Sequence, residues 1–393
     1  MRAEIDARDC LPADGGDGLL IGRVWAPGET PGPAVVVIGP DGVTDVSRRV
    51  PTVAALLDAD DPVPLVRDGA DGPRLGSLDE ILLNSPEDRR DPTRPWFLAP
   101  ADLQAIKACG VTFVKSLLER VIEEQARGDP AKAEDIRRAV AAEVGGDLRA
   151  VEPGSAAAER LKQALIDRGM WSQYLEVGIG PYAEVFTKCQ PMSAVGPCAD
   201  IGLHPDSVWN NPEPEVVLVV NARGSLIGAT LGNDTNLRDF EGRSALLLGQ
   251  AKDNNGSCAL GPFIRLIDET FTIDDLRAAE VRLEVRGDDG FRLDDLSSMR
   301  EISRDVTDLV AQTINANHQY PDGLMLFTGT MFAPTQDRDR PGEGFTHKLG
   351  DLVSIASPKL GTLVNRVGRS DQLPPWIFGS HALMRNLSAR GLI

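Results

Sequence analysis

Residues 210–221 of this chain read Asn-Asn-Pro-Glu-Pro-Glu-Val-Val-Leu-Val-Val-Asn. The run 216–220 has the length of a β-strand and is apolar at every position, which is typical of a strand buried on both faces. Because side chains alternate between the two faces of a strand, Glu213 and Glu215 point to the same side. The sequence therefore predicts two neighbouring carboxylates at the start of a buried strand.

A second strand is predicted over residues 226–232, after a turn at residues 222–225, and it ends before Asp234. If Arg223 and Gly224 form a two-residue hairpin loop, the register places Asp234 directly opposite Glu213. Cross-strand Cβ atoms are about 4.5–5.5 Å apart, so Asp234 would join the two glutamates on one face. A slip of one residue would move Asp234 to the other face.

The three carboxylates form a carboxylate triad, defined here as Glu213, Glu215 and Asp234. Like charges this close repel each other, and a divalent cation removes the repulsion. A site made only of oxygen ligands suits Mg²⁺, Mn²⁺ or Ca²⁺ and does not suit zinc. The alternative interpretation is that the three residues are solvated at the ends of their strands.

The composition of the 393-residue chain is that of a globular protein, with 42% hydrophobic and 25% charged residues. A net charge of −18 argues against nucleic acid or an acidic membrane as a partner, because both attract basic surfaces. The start of the chain is charged, unlike a signal peptide, and apolar runs stay far below the ~20 residues that span a bilayer. Five cysteines without a CxxC pair predict reduced thiols and a cytoplasmic protein.

The pattern along the chain predicts an α+β fold that is mainly β. Residues 1–95 show short strands separated by Gly and Pro, so we expect a small β-rich N-terminal domain there. Residues 96–393 form the predicted catalytic domain, with a helical segment at about 115–170 that includes helices at 129–144 and 155–169. Antiparallel strands and helices near 273–279 and 299–316 follow, and residues 251–263 are predicted to be an irregular loop.

Six short motifs, in their order, resemble those of the fumarylacetoacetate hydrolase superfamily. They are residues 183–188, Glu213-x-Glu215, residues 232–239, the Lys252 segment ending in Leu-Gly-Pro at 260–262, residues 326–330 and residues 348–353. The resemblance implies a mixed β-sandwich roll, usually assembled as a dimer.

The same resemblance implies that the triad holds Mg²⁺ or Mn²⁺. It also implies a 2-oxo acid substrate whose carboxylate and keto oxygens chelate the metal. By motif, Lys252 should contact the substrate or its enolate, and Thr330 the substrate carboxylate. Lys188 is a further candidate for substrate binding, as is Arg238, for which a structural ion pair is the alternative.

One residue differs from the superfamily's pattern and bears on whether the protein is a hydrolase or a dehydratase. Its hydrolases use a His-x-x-Glu pair to activate water, but residues 110–119 of this chain carry Ser116 where the histidine should stand and keep Glu119. Serine cannot take up a proton at neutral pH, which disfavours hydrolytic C–C cleavage. With its long N-terminal region, the chain looks like the sugar-acid dehydratases of the superfamily, which convert 2-keto-3-deoxy-pentonates to 2-oxoglutarate semialdehyde.

The sequence thus predicts a cytoplasmic, Mg²⁺-dependent hydro-lyase that acts on a small 2-oxo sugar acid of D or L configuration through a metal-stabilised enolate. We expect a homodimer or homotetramer. Glu119 and Lys252, with Ser116 beside them, are the candidate catalytic residues, and Lys252 would need a lowered pKa to act as a base. The alternatives are an acylpyruvate hydrolase and a 2-oxo acid decarboxylase or tautomerase.

Overall fold

The computed structural model describes residues 1–15, 17–67, 72–127, 129, 132–133, 151–167, 169, 171–332, 334–340, 342 and 344–393. Its strands are β1 Leu20–Ala26, β2 Gly32–Gly39, β3 Gly42–Asp45, β4 Arg74–Gly76, β5 Trp96–Leu98, β6 Ala105–Gly110, β7 Glu184–Cys189, β8 Asp200–Leu203, β9 Asn210–Asn211, β10 Pro214–Val220, β11 Leu226–Asp234, β12 Asn236–Leu237, β13 Cys258–Leu266, β14 Glu280–Arg286, β15 Arg292–Ser298, β16 Leu324–Phe327, β17 Leu352–Ser357 and β18 Gly361–Arg369.

Shorter helices connect these strands. They are α1 Ala7–Cys10, α2 Val53–Leu57, α3 Pro62–Arg67, α4 Leu78–Leu83, α5 Val114–Ala126, α6 Ala156–Asp167, α7 Gln173–Ile179, α8 Arg238–Glu241, α9 Leu248–Lys252, α10 Ile273–Arg277, α11 Val306–Thr313 and α12 Ser380–Ala389. Among the described residues, no helix is both long and apolar enough to cross a bilayer.

Two β-sheets form the framework. The larger sheet has the order β4-β3-β2-β1-β13-β11-β10-β16-β6-β7, with β5 paired to β1, and the smaller has the order β15-β14-β17-β18-β8. Pairing is antiparallel except between β16 and β6 and between β18 and β8. This mixed, mainly β architecture confirms the predicted fold class.

The hydrophobic core follows the alternation of side chains along β10. Val216 and Leu218 pack with residues of β14 and β17 between the two sheets. Val217 and Val219 face the opposite way and pack in a second cluster that includes Val53 of α2. Both faces of β10 are therefore covered, as its continuous apolar sequence predicts.

Strands β1–β4 extend the larger sheet through the pairing of β1 with β13. Residues 1–95 thus share a sheet with the later strands, and helices α1–α4 lie among them. The division into two domains near residue 95 stays a prediction.

The β10–β11 hairpin has the predicted register where the triad lies. Pro214 pairs with Asn233 and Glu215 with Gly232, and the Asp234 N–H donates to the Glu213 carbonyl oxygen at 3.0 Å. Asp234 therefore lies opposite Glu213.

The turn of this hairpin differs from the prediction. Val220 pairs with Leu226, and the Asn221 N–H donates to the Ser225 carbonyl oxygen at 3.0 Å, so the loop is longer than two residues. The register then shifts next to Val219, where Ile227 has no partner on β10. This bulge adds one residue to β11 and restores the register at the triad.

Three other expectations need correction or fall outside the structure. The second part of the predicted loop 251–263, from Cys258 onward, is strand β13, which passes through Pro262 where the β11–β13 register is irregular. The predicted helix 299–316 is reduced to α11, because a 3₁₀ turn at Met299–Glu301 and an extended segment precede it. The predicted helix 129–144 lies almost entirely outside the described residues.

We expect Leu218→Ala to lower the free energy of unfolding by about 2–5 kcal/mol, because this fully buried side chain fills space between the two sheets. Leu296→Ala is the matched control: the side chain is 55% exposed on β15, and the loss should stay below about 0.5 kcal/mol. Urea denaturation followed by tryptophan fluorescence measures both. Equal losses in the two variants would contradict the assignment of the core.

Candidate metal centre

The carboxylate triad is assembled by the start of β10 and the end of β11. One oxygen from each of Glu213, Glu215 and Asp234 lies within 4.8 Å of the other two, and all three residues are at most 2% exposed. This cluster sits on the face of the sheet that also carries Val217 and Val219. The structure thus brings together the three residues that the sequence indicated as metal ligands.

Glu215 is oriented by the loop that follows β16. Its Oε2 accepts a hydrogen bond of 2.6 Å from the Gly329 N–H. Gly329 has φ +99°, and a Cβ there would lie 2.1 Å from the Thr112 hydroxyl oxygen, so only glycine fits. The motif at residues 326–330 therefore positions a carboxylate through its backbone.

Three buried cations contact the triad. Lys252, at the end of α9, places Nζ 2.5 Å from Glu213 Oε2 and 3.1 Å from Asp234 Oδ2. Lys188 of β7 lies 2.9 Å from Asp234 Oδ1. Arg120 of α5 donates to Glu213 Oε1. Three buried cations therefore face the three buried carboxyl groups of the triad.

The pKa values reflect this crowding. Burial, together with the charges of Asp234 and Glu213, raises the pKa of Glu215 well above its usual range. Burial alone would raise the pKa of Asp234, but Lys188 and Lys252 lower it below the usual value. Burial alone would lower the pKa of Lys252, but Asp234 and Glu213 raise it above the usual value, the opposite of what a base requires.

The donor set fits a hard divalent cation. Glu215 Oε1 is buried and has no hydrogen-bond partner among the described residues. An oxygen left in this way costs free energy unless another group, such as a metal ion, satisfies it. With oxygens of Glu213 and Asp234 close by, the triad could supply three oxygen ligands.

Helix α5 closes over the triad with a row of ion pairs. Arg120 also contacts Glu123 Oε2 at 2.6 Å, and Glu123 Oε1 accepts from Arg238 Nε at 2.6 Å. Arg238 contacts Glu119 Oε2 at 3.1 Å and lies over the Trp209 ring, 4.8 Å from its centre. Glu119 is thus linked to the triad through two arginines and Glu123, and Arg238 has the structural ion pairs that the sequence left as its alternative.

Sequence reasoning missed Arg120 and Glu123. The apolar stripe of α5 includes Leu117 and Val121, which pack with α6 and α7. Arg120 and Glu123 lie on the other side of the helix, where a solvated surface would be expected. The signal that could have found them is a pair of opposite charges three residues apart in a segment flanked by superfamily motifs.

A cavity of about 150 Å³ is lined by Tyr174, Val177, Glu184, Glu241 and Leu248, together with Gln173 and Ala245. Glu241 links it to the triad, because its Oε2 lies 3.1 Å from Arg120. Burial raises the pKa of Glu241 to about 7 and also raises the pKa of Glu184. Lys252 Nζ is 3.9 Å from Glu241 Oε2. Glu184 lies in the motif at residues 183–188, whose pattern indicates no role for it.

Three further residues were predicted from the sequence to act at this site: Thr330, Lys188 and Ser116. The Thr330 hydroxyl donates to the Phe332 carbonyl oxygen at 2.9 Å, next to the glycine that holds Glu215. Lys188 is fully buried and also donates to the carbonyl oxygen of Lys252. Ser116 belongs to α5, and its side chain lies outside the described part of the structure.

Comparison with known families places this geometry in a known class. Residues 180–368 match the model described as fumarylacetoacetate (FAA) hydrolase C-terminal. This range includes the triad, Lys188, Lys252 and the loop after β16. Residues 180–368 therefore match a fumarylacetoacetate hydrolase domain, and the predicted resemblance is confirmed for this part of the chain.

Two curated relatives match about half of the chain. A "Probable 2-keto-3-deoxyxylonate dehydratase" of Haloferax volcanii is 32% identical over 201 residues, 51% of this chain and 65% of the relative. A "2-dehydro-3-deoxy-D-arabinonate dehydratase" of Saccharolobus solfataricus is 30% identical over 184 residues, 47% of this chain and 58% of the relative. The matches thus span less than two thirds of each relative's length.

Solved structures show the same fold. The apo form of 2-keto-3-deoxy-D-arabinonate dehydratase has a TM-score of 0.58 and 22% identity, covering 89% of this chain and 99% of that one. The structure of that enzyme with magnesium and 2,5-dioxopentanoate has a TM-score of 0.57 and 21% identity over the same shares of the two chains.

We expect Glu215→Gln to weaken Mn²⁺ binding at least about tenfold, because the variant loses one charged ligand of a three-carboxylate site. Isothermal titration calorimetry measures the dissociation constant. Glu280→Gln, an exposed change at the start of β14, is the control and should bind as the unmodified protein does. Unchanged binding in Glu215→Gln would exclude the triad as the site.

Proposed function

We propose that the protein is a metal-dependent hydro-lyase that converts a 2-keto-3-deoxy-pentonate to 2-oxoglutarate semialdehyde and water. The observation that carries the proposal is the buried triad with one unsatisfied oxygen, whose cations contact Glu241 of a cavity that Glu184 also lines. The dehydratase names of the relatives support the same reaction.

Magnesium is the proposed cofactor, held by Glu213, Glu215 and Asp234. When bound there, it would coordinate the carboxylate and 2-oxo oxygens of the substrate and stabilise the negative charge that develops on the oxo oxygen. The magnesium named in one structural neighbour supports this choice of ion. Thr330, beside the loop that holds Glu215, is the proposed contact for the substrate carboxylate.

Dehydration requires two proton transfers. A base removes a proton from C3 and an acid protonates the leaving C4 hydroxyl, which releases one water and leaves a C3=C4 double bond. Loss of a proton from C5 and protonation at C3 then give a C4–C5 enol, which tautomerises to the C5 aldehyde. Lys252 stays a proposed participant because it touches the triad and lies next to the cavity. Its individual role is left unassigned.

Glu184 is the partner that the structure favours for Lys252. It lines the cavity, and burial raises its pKa above the usual value of a carboxyl group. Glu119, the partner indicated by the sequence, is instead bound to Arg238. We therefore propose Glu184 as the catalytic carboxyl group and Glu119 as a positioning residue.

The setting proposed for this activity is pentose breakdown in the cytoplasm by a homodimer or homotetramer. The relatives bear the names of sugar-acid enzymes, and the described cysteines are free thiols. Size-exclusion chromatography with light scattering tests the assembly.

The deciding assay incubates the metal-loaded protein with racemic 2-keto-3-deoxy-pentonate and detects 2-oxoglutarate semialdehyde through a coupled dehydrogenase. We expect product that disappears when EDTA removes the metal and returns when Mg²⁺ is restored. The separate enantiomers then identify the D or L substrate. Absence of product, with pyruvate released from an acylpyruvate, would show a hydrolase.

Two matched substitutions separate the carboxyl candidates. Glu184→Gln should lower kcat at least about 100-fold and leave Mg²⁺ affinity nearly unchanged, because it removes a proton-transfer group and no metal ligand. Glu119→Gln should lower kcat much less, since it removes one partner of Arg238. Steady-state kinetics with calorimetric Mg²⁺ titration measures both, and the reverse ranking would assign catalysis to Glu119.

A further inference from the structure

Both oxygens of Glu213 and both oxygens of Asp234 already contact a buried cation. Arg120, Lys188 and Lys252 supply three positive charges against three carboxylates, and none of these six side chains is more than 7% exposed. A divalent cation that enters this cluster adds two positive charges in a region of low dielectric constant. A metal ion that takes an oxygen of Glu213 or Asp234 therefore competes with the cation that already contacts that oxygen.

Two of the cations are held in place. Lys188 also donates to the carbonyl oxygens of Lys252 and Thr235, the latter at 3.4 Å, so its ammonium group is enclosed by backbone. Lys252 contacts two carboxylates of the triad at once, Glu213 and Asp234. Displacement of either lysine breaks several contacts.

Arg120 has a second set of partners away from the triad. Its guanidinium is 2.6 Å from Glu123 Oε2 and 3.1 Å from Glu241 Oε2. If the contact with Glu213 breaks, these two carboxylates still satisfy the charge of Arg120. Of the three cations, Arg120 can leave the triad at the lowest cost in unpaired buried charge.

We propose that Arg120 is the internal counter-ion of the metal site. In the metal-free protein it holds Glu213 Oε1, and it retreats onto Glu123 and Glu241 when a divalent cation takes that oxygen. Arg120 thereby competes with the metal and limits its affinity, and it keeps the triad assembled while the metal is absent. It is a positioning residue, and this inference rests on the metal site of the proposed function.

The test is a calorimetric titration of Mg²⁺ alone into the metal-free protein and its variants. Arg120→Gln removes the competing charge, so it should bind Mg²⁺ about tenfold more tightly. Arg120→Lys keeps the charge but not the fork that spans three carboxylates, so its affinity should lie between the two. Unchanged or weaker binding in both variants would overturn the proposal.

Melting temperatures give a second readout. Arg120→Gln should melt well below the unmodified protein without metal, and saturating Mg²⁺ should recover most of the difference. A side chain that only packs α5 would lower the melting temperature equally with and without Mg²⁺, and that result would also overturn the proposal. If Arg120→Gln does not fold, Arg120→Lys carries both measurements.

Arg238→Gln is the matched control, because Arg238 belongs to the same row of ion pairs but touches no carboxylate of the triad. It should destabilise the protein and leave the Mg²⁺ dissociation constant unchanged. If the unmodified protein binds no Mg²⁺, the proposed metal site fails and this inference falls with it. If the protein binds Mg²⁺ and the Arg120 variants do not differ from it, only the role of Arg120 fails.

Discussion

Three carboxylates that must share one buried point are the constraint on which the rest of this site depends. At such distances the ionised groups repel each other, and burial adds a desolvation cost. The surrounding elements supply the compensation: α9 provides Lys252, β7 provides Lys188, α5 provides Arg120, and the loop after β16 provides a backbone N–H. The triad can therefore be buried only because these four elements pack around it.

Packing of the two sheets and of α5 holds the charged residues of the site in place. Strand β10 is covered on both faces by apolar residues, so the hairpin that carries the triad is held rigidly. Helix α5 is buried on two sides: its apolar stripe packs on α6 and α7, and its charged side covers the triad. An amphipathic helix usually exposes its charged side to solvent, but the charged side of α5 covers the triad.

Part of the site could be predicted from the sequence, because it depends on residues that are close together along the chain. The period of two along a strand places Glu213 and Glu215 on one face whatever the surroundings. The position of Asp234 was predicted from a two-residue turn that does not exist, and the register is right because a bulge at Ile227 adds the missing residue. Strand β13 was missed because Gly261 and Pro262 inside it resemble a turn.

By itself, the sequence determined the mainly β fold class, the carboxylate triad and, through its motifs, the superfamily. These depend on side-chain alternation, apolar runs and ordered motifs, which are properties of neighbours along the chain. Only the tertiary structure decided that Arg120 and Glu123 face inward, that Glu184 lines the cavity and that Glu119 pairs with Arg238. The contacts of Arg120 with Glu213 and of Arg238 with Glu119 join residues 93 and 119 positions apart, and which charges meet depends on how whole elements pack.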